Sequence, residues 1–78
     1  MIPIIVYKTD GRVIPMSIPS QDAWKTYQAL VGGPFKALPI TKGMLVLNEE
    51  GWLLELPYNK SYPQFVGDVV FVKTEDFK

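Results

Sequence analysis

Four glycine-containing turns divide this chain almost end to end, and they limit its fold more than any other feature. They are Asp10-Gly11, Gly32-Gly33, Asn48-Glu49-Glu50-Gly51 and Gly67-Asp68. Glycine, asparagine and aspartate suit such places because tight turns need positive φ or local side-chain hydrogen bonds. The apolar segments between the turns are short, which predicts strands joined by hairpins rather than long helices.

Ile2 to Tyr7 is an almost unbroken β-branched run, the pattern of a strand covered on both faces. Asp10-Gly11 predicts a two-residue loop with positive φ at both positions, which sets Thr9 opposite Arg12 and Tyr7 opposite Ile14. The return strand, Arg12 to Met16, carries Pro15, whose missing amide proton points to a free edge or a strand end. Ser20 is a good N-cap and Asp22 suits a helix N-terminus. Trp24, Tyr27 and Leu30-Val31 share one helical face, so a helix over Gln21 to Val31 is expected to pack Trp24 and Tyr27 on a sheet. Gly32-Gly33 supplies a left-handed stop, and Pro34 bars continuation.

Phe35 to Ile40, Met44 to Leu47, Trp52 to Leu56 and Val69 to Val72 read as further strands. Asn48 to Gly51 fits a type I turn closed by a left-handed Gly51, with Trp52, Leu54 and Leu56 on one face of the return strand. The polar end after Val72, Thr74 to Lys78 above all, is expected to fray. The order β-β-α-β-β-β-β describes a single α+β domain over residues 1–78, with a mainly antiparallel sheet whose closure into a barrel is left open.

Composition excludes more function than it assigns. The 78 residues hold no histidine and no cysteine, which removes the usual general base, the soft metal ligands and the thiol nucleophile. No catalytic residue, metal or cofactor is therefore expected. Formal net charge is zero, and the lysines are scattered without a basic stripe, so duplex nucleic acid is not an expected partner. No apolar run approaches the length of a membrane span, and the N-terminus lacks the features of a signal peptide. A reducing cytoplasm is the expected compartment.

The segment from Pro57 to Val66 is the one long irregular stretch. Tyr58, Tyr62 and Phe65, with Asn59 and Lys60, combine apolar faces with polar tips, a mixture favoured at protein interfaces and able to stack on bases. Two uses of this loop stay open: a binding surface, or a plug that folds Tyr62 and Phe65 into the core. Asn59 is expected either to brace the loop or to meet a ligand, and Trp52 to be partly exposed beside its turn. Asp68 is expected to bond its own turn backbone. Glu49 and Glu50 diverge from a turn, which disfavours a metal or acid–base pair.

Val31-Gly32-Gly33, Asn48-Glu49-Glu50-Gly51, Leu56-Pro57-Tyr58-Asn59-Lys60 and Val66-Gly67-Asp68-Val69 occur in this order. In that ordered combination the chain resembles the family catalogued as domain of unknown function 3846. Two departures from the family's pattern are Pro34, which stands before Phe35, and Lys60 in place of an arginine. The latter loses a bidentate fork. The resemblance implies an accessory protein of a phage, plasmid or other mobile element, and brings no activity.

The residues together lead to an expectation of a non-catalytic binding protein that docks on a host or phage protein through Trp52, Tyr58, Asn59, Lys60 and Tyr62. The alternative is an oligomeric sponge holding a nucleotide-like ligand between Tyr58 and Tyr62. A remote alternative is a carboxylate-dependent hydrolase using Glu55 or Asp68. A homo-oligomer is expected because the Pro15 edge also carries Ile14 and Met16.

Overall fold

The computed structural model describes residues 1–77. It contains β1 (Ile2–Tyr7), β2 (Val13–Ile18), α1 (Ala23–Val31), β3 (Phe35–Ile40), β4 (Gly43–Asn48), β5 (Val69–Lys73) and a short 3-10 turn, Thr74–Asp76. The strands form one open antiparallel sheet in the order β2-β1-β5-β4-β3. It is an α+β fold, and the sheet does not close into a barrel.

The expected strand Trp52–Leu56 does not form. Two antiparallel neighbours already occupy β4, with β3 on one side and β5 on the other. A strand returning directly from β4 has no edge left to pair with. The chain instead coils into a single helical turn. Leu54 N donates to Glu50 O at 2.9 Å, Leu56 N to Gly51 O at 3.1 Å and Glu55 N to Trp52 O at 3.2 Å. The last two bonds, with Glu55 at φ 56, are the Schellman pattern that ends helices. The left-handed residue is thus Glu55, and Gly51 is not among the positive-φ glycines. Gly51 is required for space: an added Cβ would lie 2.8 Å from Val66 Cγ2.

The first hairpin differs from expectation by one residue. Lys8 N donates to Arg12 O at 2.9 Å and Gly11 N to Lys8 O at 3.0 Å. Only Gly11 has positive φ in this loop. That is a three-residue loop with a left-handed glycine bulge, and it pairs Tyr7 with Val13 rather than Ile14. The slip matters because one residue of register exchanges the two faces of a strand.

One sheet face holds the main core. Ile2, Ile4, Val6, Ile18, Val46, Val70 and Val72 meet the helix residues Ala23, Tyr27 and Val31. The helix starts later than expected, at Ala23, with Asp22 in the N-cap place and no side-chain cap bond from it. Its buried stripe is Ala23, Tyr27 and Val31, so Trp24 faces water and lies against Lys25, whose Nζ is 5.5 Å from its ring. Gly32 provides the left-handed stop at φ 85. The described part of the C-terminal tail is folded back: Phe77 stacks on Tyr27 at 5.7 Å. Lys78, the end of the expected frayed tail, lies outside the described residues.

Candidate functional site

The second sheet face is covered at one end by the loop between Leu56 and Gly67. Its neck is closed by backbone bonds, Asn59 N to Phe65 O at 3.0 Å and Gly67 N to Pro57 O at 2.8 Å. Asn59 is the hub. Its Nδ2 donates to Tyr7 O (2.8 Å) and Gly67 O (3.0 Å), and its Oδ1 accepts from Ser61 N (2.9 Å) and Tyr62 N (3.0 Å). The residue is fully buried, with both donor hydrogens and both acceptor positions used inside the chain. Asn59 therefore braces the loop.

Tyr62 and Phe65 turn inward onto Leu45, Leu47 and Val69. Tyr62 meets Tyr7 edge-on at 5.0 Å. Burial pushes the Tyr62 phenol above its ordinary pKa, with the Tyr7 phenol adding to the shift. These two aromatics are the plug of a small second core. Lys60 faces elsewhere: its backbone N donates to Thr9 O at 3.3 Å and its stem lies beside Gly11. Asp68 ties the loop's exit to the first hairpin instead of to its own turn. It pairs with Lys8 Nζ at 2.7 Å and accepts from Thr9 N at 3.0 Å. At the hairpin tip, the Arg12 backbone amide, helped by its guanidinium, holds the Asp10 carboxyl below the usual range against some desolvation.

Tyr58 is the loop aromatic that stays outside. Its ring meets Trp52 edge-on at 5.7 Å, and each residue is 63% exposed. Beside them Leu53 is 80% and Leu54 51% exposed. The patch is mounted firmly. Asn48 fixes the start of the turn by donating Nδ2 to Val31 O at 2.9 Å and accepting Glu50 N at 2.7 Å. The isolated bridge Tyr58↔Val66 fixes the other side. A small cleft of about 140 Å³ lies beneath, lined in part by Lys36, Glu49, Trp52, Gln64 and Phe65.

Of the five residues expected to bind, the structure joins Trp52 to Tyr58, turns Asn59 and Tyr62 inward, and carries Lys60 to the hairpin tip. Leu53 and Leu54 were missed. Their signal was the run Trp52-Leu53-Leu54, apolar at consecutive positions where an alternating strand would have a polar residue. Such a run fits one helical turn as well as a strand. An apolar patch of this kind, flanked in sequence by the acidic Glu49, Glu50 and Glu55, is suited to docking. Among the described residues no helix is long and apolar enough to cross a membrane.

No curated protein and no solved structure matches the chain. A family does, and over nearly its full length: residues 2–78 match Domain of unknown function (DUF3846), the family to which this chain belongs.

Proposed function

We propose that this protein works without catalysis, by docking on a partner protein through Trp52, Leu53, Leu54 and Tyr58. The single observation that carries this reading is the edge-on Trp52–Tyr58 pair, left 63% exposed on both sides beside two exposed leucines. Tryptophan and tyrosine are enriched among the residues that dominate binding energy. Their immobilisation by Asn48 and the Tyr58 bridge lowers the ordering cost of association. The setting implied by the family resemblance, a phage or mobile element inside a host cell, makes a host or phage protein in the cytoplasm the class of partner.

The test is capture from the natural host on immobilised protein, followed by titration of the captured partner against variants. Trp52→Ala and Tyr58→Ala are expected to weaken binding by at least about tenfold, the range of interface hot spots. Their unfolding midpoints should stay near wild type, since both side chains are exposed. Lys60→Ala, at the hairpin tip, is the control and should bind normally. Normal binding by both aromatic variants would move the site elsewhere.

A further inference from the structure

The part of the second sheet face that the loop leaves open forms an apolar groove. Its floor is Ile5 and Phe71, shared by two adjoining concavities of about 410 and 350 Å³. Pro3 and Pro15 line one side and Ile40 the other. Phe71 lies so close over Gly43 that an added Cβ would fall 2.7 Å from its Cε1. The charged residues of the lining are Lys73 and Lys42, and no acidic residue contributes to it. Lys73 pairs with Gly43 across the sheet, so both lysines stand at the same end. Among the described residues neither is in an ion pair.

The opposite chemistry stands at the opposite end of β4. Gly43 begins that strand and Asn48 ends it, and the turn that follows presents Trp52, Leu53 and Leu54 between Glu49-Glu50 and Glu55. These three carboxylates are likewise free of ion pairs among the described residues. One end of the molecule is therefore a projecting apolar turn with acidic flanks, and the other a concave apolar surface with basic flanks. A strand of β4's length separates them, roughly 20 Å at the usual rise per residue, so they do not meet within one chain.

We propose that the groove receives the Glu49–Glu55 turn of a second copy, in a head-to-tail contact. This rests on the reading of that turn as a docking element, and it makes a second copy an occupant in competition with any other partner. The alternatives between copies are less favourable. A symmetric pairing of the two grooves would give Lys42 and Lys73 no carboxylate to meet, because a two-fold contact presents the same patch on both copies and that patch is lined by no acidic residue. Edge-to-edge pairing is obstructed on both sides. The bond Lys8 N to Arg12 O sets the alternation in the β1–β2 ladder, which turns the backbone of Val13, Pro15 and Ser17 to the free edge. Glu49 N to Pro34 O does the same for Phe35, Ala37 and Pro39 on β3. Each free edge thus has a proline where a donor is needed.

Sedimentation velocity on the full chain decides it, at low salt and from about 10 to 500 µM, the range suited to a small, transient interface. Wild type should rise in mass from 8.8 kDa toward a dimer and beyond, and added salt should reverse part of the rise. Leu53→Asp blocks the turn and leaves the groove. Lys42→Glu/Lys73→Glu blocks the groove and leaves the turn. Each variant alone should remain monomeric with an unchanged circular dichroism spectrum, and a mixture of the two should form a dimer that grows no further. Wild type that stays monomeric throughout, variants that still associate alone, or a mixture that fails to pair would each overturn the proposal. Monomeric wild type together with loss of a captured partner in Trp52→Ala would overturn the head-to-tail contact while leaving the docking reading intact.

Discussion

Asn59 holds the loop with five hydrogen bonds, four through its side chain and one through its backbone. Replacing it with alanine would leave the Tyr7 and Gly67 carbonyls and the Ser61 and Tyr62 amides without that partner. Asn59→Ala is expected to cost about 2–4 kcal/mol in urea unfolding, because buried groups left unpaired carry their full desolvation penalty. A loss under about 0.5 kcal/mol, the scale of ordinary surface changes, would mean that water replaces the amide. Glu55 gives the opposite sign. It occupies a left-handed conformation that costs an L-residue about 1–2 kcal/mol, partly offset on mutation by the extra freedom of glycine in the unfolded chain. Glu55→Gly should therefore raise stability by roughly 0.5–1 kcal/mol. Gly51→Val should still destabilise, by about 1–3 kcal/mol, through overpacking against Val66 rather than through φ. At this scale the sequence showed which residues were special more readily than why. Asn59 stood out as a brace for the loop or a ligand contact, and the choice lay with Tyr7, which is 52 positions away.

Among the elements, the helix shows how close two readings of one pattern can be. Trp24, Tyr27 and Leu30 form an i, i+3, i+6 row, while Ala23, Tyr27 and Val31 form an i, i+4, i+8 row, and the structure buries the second. Alanine carries so little apolar weight that its row was hidden behind the tryptophan. Tyr27 belongs to both rows and sits at the centre of the core, fully buried, and among the described residues its hydroxyl has no hydrogen-bond partner. Burial, with a smaller contribution from Asp76, raises its pKa. The unfolded chain ionises first as pH rises past 10.0, the ordinary tyrosine value. Stability should thus be complete below that pH and fall as pH climbs through the raised folded value. Tyr27→Phe should remove that part of the alkaline loss and, by deleting an unpaired buried hydroxyl, leave neutral-pH stability equal or higher. Urea titrations at neutral and alkaline pH read both effects; an undiminished alkaline loss would assign it to other tyrosines, with Tyr62 next in line. The strands were legible where a turn set their ends. Trp52–Leu56 failed because the sheet had no vacant edge beside β4, a fact of assembly that local pattern does not contain.

For the molecule as a whole, the governing feature is a sheet open at both edges and half open on one face. The sequence revealed the class, one helix and an antiparallel sheet, because the turns and the helix stop are local chemistry. It left the covering of the second face unsettled, since that depends on how the loop folds back through Asn59. An open sheet of six-residue edge strands invites intermolecular strand pairing, and this chain meets the hazard with Pro15 on β2 and Pro39 on β3. Each proline faces outward in its ladder, so replacing it removes no backbone bond within the sheet and restores one donor at the rim. In a Leu53→Asp background, where the projecting turn is disabled, Pro15→Val/Pro39→Val should keep the monomer's stability within about 1 kcal/mol, the size of the proline effect on the unfolded chain. It should also aggregate faster on warming than the Leu53→Asp parent, because both rims then present continuous rows of donors and acceptors. Light scattering during a thermal ramp, with urea unfolding alongside, separates the two effects. Equal aggregation at equal stability would show that the edges are guarded by something other than these prolines. Faster aggregation with a large loss of stability would show that the prolines hold the monomer itself and that their backbone does not face the rim.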